Sequence, residues 1–306
     1  MKTRKFVKMF FLFLHIFISI SVMNLPGVYA VDKKAELAES INQIISDVSC
    51  KISIQIASAD KYDLLYEYQP DQKMIPASIT KLITAAVAFK ELGLSYDFKT
   101  IIYTDDSNIN DGVVNGNIYL KGYGDPDLNS SDVSLLAKNI ADKKITEITG
   151  NIIYDESFFD DEHYGIAGQY KDDTQKNYWP YISALNFNKN GGGLDPAANA
   201  AEYLSGELVS RNIKVEGIVI SGITPKAAKE IAEVTHSFFN VISQMNKESD
   251  NQSAISVFKT VGAKYYDPPG TLSKGEDAVV NFLTSIGKPR NNFEIVEGSG
   301  LSRYNY

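Results

Sequence analysis

Ser78, Lys81 and the triplet Ser249-Asp250-Asn251 are the residues of this chain whose types and spacing can carry chemistry together. A serine hydroxyl is a poor nucleophile until a neighbouring base takes its proton, and a neutral, desolvated lysine can be that base. Ser78 and Lys81 sit one helical turn apart, so on a helix the amine comes within reach of the hydroxyl. A second hydroxyl, Ser249, can relay a proton between that lysine and a leaving amine. The Asn251 amide offers both a donor and an acceptor, which suits a peptide backbone. Each motif alone has a plainer reading. Ser-x-x-Lys is also an N-cap serine followed by a surface lysine, and Ser-Asp-Asn is ordinary helix punctuation.

The elements that must position these groups are legible in outline. Leu82, Ala85, Ala86 and Phe89 recur at helical spacing and Gly93 follows as a stop, which predicts a helix over 78–92 with those four on its apolar face. Pro76 biases the residue before it toward extended backbone, so Ser78 falls in the first turn. Upstream, 31–48 reads as an amphipathic helix carrying Leu37, Ile41, Ile44 and Ile45, and 51–56 and 63–68 read as two strands joined by a turn. Downstream, strands are expected at 100–103, 117–121, 148–154 and 215–220, with helices at 132–140 and 195–211. Residues 155–177 read as an acidic, aromatic loop. Ser237 can cap a helix with Phe238, Val241, Ile242 and Met245 on one face. A further helix carries Ile255, Phe258 and Val261, so Ser249-Asp250-Asn251 becomes a tight turn between two helices. The last clear helix spans 275–286.

Composition narrows the function. The 306 residues are 44% hydrophobic, enough for a large core or for a catalytic domain with a sizeable insertion. The start is a separate matter. Lys2, Arg4, Lys5 and Lys8 precede an apolar run over 9–22, and Val28-Tyr29-Ala30 places small residues where a signal peptidase cuts. Cleavage is expected after Ala30, which makes the protein exported and extracytoplasmic and leaves room for peripheral membrane contact. Formal charge is −8 for the whole chain, and losing a basic leader makes the mature chain more acidic still. An acidic chain with no basic cluster is a poor nucleic-acid binder. Cys50 is the single cysteine, read as a buried, inert thiol. His163 and His236 lack ligand spacing, so no metal site is expected. Glu297, beside a glycine-rich turn, reads as structural.

Ser-x-x-Lys followed by Ser-Asp-Asn in an exported chain is the pairing of penicillin-binding proteins and class A β-lactamases. The wider sequence resembles the D-alanyl-D-alanine carboxypeptidase/endopeptidase family, the class C low-molecular-mass penicillin-binding proteins. The resemblance rests on Pro76-Ala77-Ser78-Ile79-Thr80-Lys81-Leu82, Leu92-Gly93, Gly116-Asn117-Ile118-Tyr119-Leu120-Lys121-Gly122 and Gly124-Asp125-Pro126-Asp127-Leu128. It continues through Ile148-Thr149-Gly150-Asn151, Met245-Asn246-Lys247-Glu248-Ser249-Asp250-Asn251 and Gly298-Ser299-Gly300-Leu301-Ser302-Arg303-Tyr304-Asn305. The long interval between Ser78 and Ser249 fits this family, which carries extra domains there, better than a β-lactamase.

The resemblance implies an α/β, penicillin-binding-protein/β-lactamase-like transpeptidase fold with an inserted α/β domain. The implied division is a signal peptide over 1–30, the first part of the transpeptidase-like domain over 31–98, the insertion over 99–195, and the remainder over 196–306. It implies that Ser78 attacks the penultimate D-alanine carbonyl of a cell-wall stem peptide, with Lys81 as general base. Ser249 would serve in proton transfer and Asn251 in holding substrate. Peptidoglycan peptides ending in D-Ala-D-Ala are the implied partners and β-lactams the implied acylating inhibitors, with no metal or organic cofactor. Two departures stand out. The family's Lys-Thr-Gly strand, which follows Gly-Ser-Gly-Leu-Ser, is not spelled out in these residues, and Lys259-Thr260-Val261-Gly262 falls in a predicted helix. The expected fold therefore lacks its C-terminal sheet strands. Leu185-Asn186-Phe187-Asn188 passes quickly into Gly191-Gly192-Gly193-Leu194, a short insertion expected to alter access to the cleft more than its chemistry. A truncated, non-catalytic muropeptide-binding chain and a β-lactamase remain as the other readings.

Overall fold

In a computed structural model the chain is described for residues 32–106, 109–164, 179–190 and 195–306. The expected leader peptide over 1–30, part of the 155–177 loop and the Gly191-Gly192-Gly193-Leu194 run lie outside the described residues. Backbone contacts divide the chain into two units, one up to Gln72 and one from Lys73 to Tyr306.

The first unit holds helix α1 (Lys33–Ser46) and the antiparallel hairpin β1 (Ile54–Ala57) and β2 (Leu64–Tyr68). The side chain of Asp32 caps α1 by accepting from the Lys34 backbone N–H. The Tyr66 hydroxyl donates to Asn42 Oδ1 at 2.7 Å, joining hairpin to helix. Cys50 is exposed rather than buried, which corrects the expectation of a core thiol. It lies in a bend after the helix, between the exposed Ser49 and Lys51.

The second unit has two packed regions. One is a five-stranded sheet in the order β10 (Lys229–Ser237), β3 (Asp97–Thr104), β5 (Ile118–Gly122), β7 (Ile152–Asp155) and β9 (Val219–Ser221). The β10–β3 and β3–β5 pairs are antiparallel, while β5–β7 and β7–β9 are parallel. Helices α3 (Ser130–Asp142) and α4 (Pro196–Ser210) bury Leu136, Ile140, Leu204 and Leu208 with Ile102, Leu120 and Ile152 of the sheet. The sheet draws on residues both before and after position 195. A small parallel sheet, β4 (Val113–Val114), β6 (Glu147–Ile148) and β8 (Lys214–Val215), completes this region.

The other region is helical: α2 (Thr80–Glu91), α5 (Phe238–Lys247), α6 (Asn251–Tyr266) and α7 (Leu272–Ser285). Its core joins Val87, Val241, Met245, Phe258, Val261, Val279 and Leu283, with Phe98 entering from the sheet. Helix α6 is the centre, buried without a break from Gln252 to Ala263. It includes Lys259-Thr260-Val261-Gly262, and Lys259 spends its charge on Asp160 at 2.6 Å. The sheet runs into this region without a linker. Ser237 ends β10 and caps α5, its hydroxyl accepting from the Asn240 N–H.

One strand is not anticipated, and one helix face differs from expectation. Strand β10 carries no clean alternation in the sequence, because its register shifts between Glu230 and Ala232 and a bulge breaks the period of two. Helix α2 turns a different face inward. Leu82 and Phe89 are exposed, and Thr80, Lys81, Thr84, Val87 and Ala88 are buried. Hydrogen-bond demand overrides apolar periodicity here, as the site geometry below shows.

The sheet also holds a buried ion pair. Lys121 Nζ lies 2.8 Å from the fully buried Asp155, whose oxygens accept from the Ser157 and Thr224 N–H groups as well. Burial pushes this carboxyl up, but those bonds outweigh it and bring it down to about 2. A carboxyl held below its unfolded value of ~3.9 adds stability above that pH and loses it as pH falls through the folded value. Lys121→Met should therefore cost ~3–5 kcal/mol at neutral pH. In urea titrations, its deficit against wild type should shrink as pH falls from about 4 toward 2.

Candidate active site

Ser78 lies in a single 3-10 turn (Ala77–Ile79) that leads directly into α2, and its side chain is exposed. The turn is set by Ala77, whose φ of 48° is rare for a non-glycine residue. One turn on, Lys81 is buried, with 2% of its surface exposed. Its Nζ is 3.1 Å from Ser78 Oγ, 2.6 Å from Asn251 Oδ1 and 2.8 Å from the Ser299 carbonyl oxygen.

These three contacts decide what the amine can do. The amide and carbonyl oxygens only accept, so each fixes one N–H of Lys81. The third direction faces a hydroxyl, which can give or take a proton. A charged lysine donates there, whereas a neutral one turns its lone pair toward the Ser78 proton. Burial pushes the Lys81 amine below the ordinary lysine value of 10.5, while the charges of Glu297 and Asp250 pull it back up. Desolvation is the largest effect, and it favours the neutral base.

The Ser249-Asp250-Asn251 turn joins α5 to α6. Asp250 caps α6, accepting from the Gln252 and Ser253 N–H groups at 2.9 and 3.2 Å. This cap aims the first residue of the helix, Asn251, at Lys81. Ser249 takes a left-handed backbone with φ 53° to make the turn, and its side chain is exposed. The structure thus brings Ser78 and Asn251 to the same Lys81 amine. Ser249 stands two residues away on the same turn, with no hydrogen bond to them among the described residues.

Four contributors are given no part in the site by the sequence reading. The Ser299 carbonyl is a third partner of the lysine. Thr84, one turn beyond Lys81, donates to the Gly298 carbonyl at 2.7 Å and ties the same segment to α2. Glu297, fully buried, organises that segment. It accepts from the Ser299, Gly300 and Ser302 N–H groups at 2.6, 2.7 and 3.2 Å and from the Asn305 amide at 2.8 Å. Gly300, with φ +84°, lies so close to the turn that a Cβ there would overlap the Ala77 carbonyl. The available signal was the spacing of two glycines around Ser299, which marks a close backbone approach but not its target. Among the described residues no cluster of three or more His, Cys, Asp or Glu side chains is arranged to hold a metal. No helix among them is long and apolar enough to cross a membrane.

The D-Ala-D-Ala carboxypeptidase 3 (S13) family matches residues 34–192 and 193–306. The D-alanyl-D-alanine carboxypeptidase DacB of Haemophilus influenzae is 22% identical over 362 residues, covering 93% of this chain and 75% of its own length. The D-alanyl-D-alanine carboxypeptidase of Actinomadura sp. is 30% identical over 156 residues, 49% of this chain and 28% of that protein. Among solved structures, penicillin binding protein 4 of Haemophilus influenzae superposes with a TM-score of 0.76 at 21% identity, covering 87% of this chain and 74% of that one. The same protein complexed with a β-lactam gives 0.65 at 21% identity, over 82% and 70%. The likeness establishes the expected mixed α/β fold.

The contact under the serine turn is testable. Gly300→Ala should displace the Ala77–Ile79 turn and slow reaction of Ser78 with a serine-directed acylating probe by at least ~10²-fold. Overpacking should lower the unfolding free energy by ~1–3 kcal/mol.

Proposed function

The chain belongs to the D-Ala-D-Ala carboxypeptidase 3 (S13) family, and from that premise we propose that it is a serine-type D-Ala-D-Ala carboxypeptidase/endopeptidase. It acts on peptidoglycan stem peptides through an acyl-enzyme on Ser78. The observation that carries the reading is the buried Lys81 amine held between the Ser78 hydroxyl and the Asn251 amide oxygen.

Ser78 Oγ attacks the carbonyl of the penultimate D-alanine, and its proton passes to the neutral Lys81 amine. The C–N bond to the terminal D-alanine then breaks. The proton returns to the leaving amine, with Ser249 as the relay. Water hydrolyses the ester and frees Ser78. Asn251 holds Lys81 through its oxygen, which leaves its NH2 group to meet a substrate carbonyl. The two fixed N–H bonds of Lys81 keep its lone pair on the serine, and so prepay the orientation that a flexible lysine would have to find. β-Lactams acylate the same hydroxyl, a reading supported by the related penicillin binding protein complexed with one. The substrate places the protein outside the cytoplasm, in the periplasm or cell-wall space.

Labelling with a fluorescent penicillin tests the reading. Wild type should be labelled and Ser78→Ala should not. Lys81→Met should slow labelling by ~10²–10⁴-fold. Only the neutral amine is a base, so the rate should climb as pH rises through the Lys81 titration, below the 10.5 of a free lysine. Folded wild type with no Ser78-dependent label at any pH would leave a non-catalytic, muropeptide-binding role instead.

A further inference from the structure

The turn that carries Asn251 is held by a cation from a distant segment. Lys189 Nζ lies 2.8 Å from Asp250 Oδ2 and 2.9 Å from Ser253 Oγ, and it also pairs with Asp127. Helix capping alone does not account for a lysine here, because the N-terminus of α6 is the end whose dipole repels a cation. Nor is the lysine's position left to a loose loop. Asn188, Lys189 and Asn190 take φ values of 48°, 55° and 54°, three successive non-glycine residues in the left-handed region.

The flanking asparagines hold that turn. The Asn188 N–H donates to the Leu128 carbonyl at 2.9 Å, and Asn188 Oδ1 accepts from the Ser130 N–H at 3.1 Å. Asn190 donates to the Tyr181 carbonyl and to Asn186 Oδ1 at 2.6 and 2.7 Å. The buried Asn186 in turn donates to the Asp125 carbonyl and to Ser256 on α6, at 3.2 and 3.3 Å. The segment between the sheet region and α4 is thus anchored so that Lys189 points at the head of α6.

We propose that Lys189 is a positioning residue for the Ser78–Lys81 pair: it neutralises Asp250, so that the carboxylate can aim Asn251 at Lys81 without holding the Lys81 amine in its charged form. The proposal deepens the function given above and rests on it for its consequence in catalysis. The charged groups facing Lys81 are Asp250 from the turn and Glu297 from the C-terminal segment. Besides Lys81 itself, Asp250 faces Lys189, which Asp127 shares. Burial works against the Lys189 charge, but its bonds to Asp127 and Asp250 outweigh it and keep the ammonium above its ordinary range. Lys189 therefore holds its proton more firmly than Lys81 does. Its removal leaves Asp250 as an unbalanced negative charge beside the Lys81 amine, and the base becomes available only at higher pH.

The test is the titration of Lys81 itself, read by NMR of isotope-labelled lysine in the full chain. Lys189→Met should move it upward by about 0.5–1 pH unit, and Lys189→Arg should restore it. Asp127→Asn frees Lys189 for Asp250 alone and should move it the opposite way. The acid limb of Ser78 acylation by a β-lactam should follow the same order. A Lys81 titration that superposes on wild type in both Lys189→Met and Asp127→Asn overturns the proposal, even if the variants melt earlier. If the titration moves as stated but wild type acquires no Ser78-dependent label, the electrostatic coupling stands and the peptidase reading falls.

Discussion

A buried amine with three directed contacts is the constraint on which the rest of this structure depends. Burying Lys81 is costly unless each of its hydrogen-bonding positions is met. Three different parts of the chain meet them: the Ser78 turn, the Asn251 helix start and the Ser299 carbonyl. None of these partners can move far without leaving a buried polar group unpaired. That requirement explains why α2 hides Lys81 and Thr84 and leaves Leu82 and Phe89 in solvent.

The supporting architecture follows from that need. A central helix, α6, is buried along most of its length and begins where the lysine must be met. Its cap, Asp250, is anchored by Lys189, which comes from a left-handed turn fastened to Leu128, Ser130 and α6 itself. On the other side, one buried carboxylate, Glu297, gathers three backbone N–H groups and shapes the Gly298–Ser302 segment. Two acidic residues therefore organise the backbone around the amine, and their charges set its environment as a consequence. Glu297 reads as structural in the sequence, and the geometry shows what it structures.

The motifs differ in how far they were legible. Ser78 and Lys81 are close in sequence, so their contact follows from local helical geometry even though the serine sits in a 3-10 turn ahead of the α-helix. The turn between α5 and α6 follows from Ser, Asp and Asn between two periodic runs. Lys189 was invisible. Its segment reads as a short insertion with glycines after it, and only the fold shows three successive left-handed residues whose middle member pairs with Asp250. Strand β10 was hidden for a different reason, since a bulge scrambles the alternation by which a strand is recognised.

What the sequence determined by itself was chemical identity: which hydroxyl, which amine and which amide are present, and that Ser78 and Lys81 share a helix turn. Local rules reach that far because backbone geometry repeats within a few residues. Tertiary structure alone decided which face of α2 is buried, which carbonyl completes the lysine's shell and which cation balances Asp250. Those choices join residues far apart in the chain, and no short-range pattern records a contact made only when the whole domain has packed.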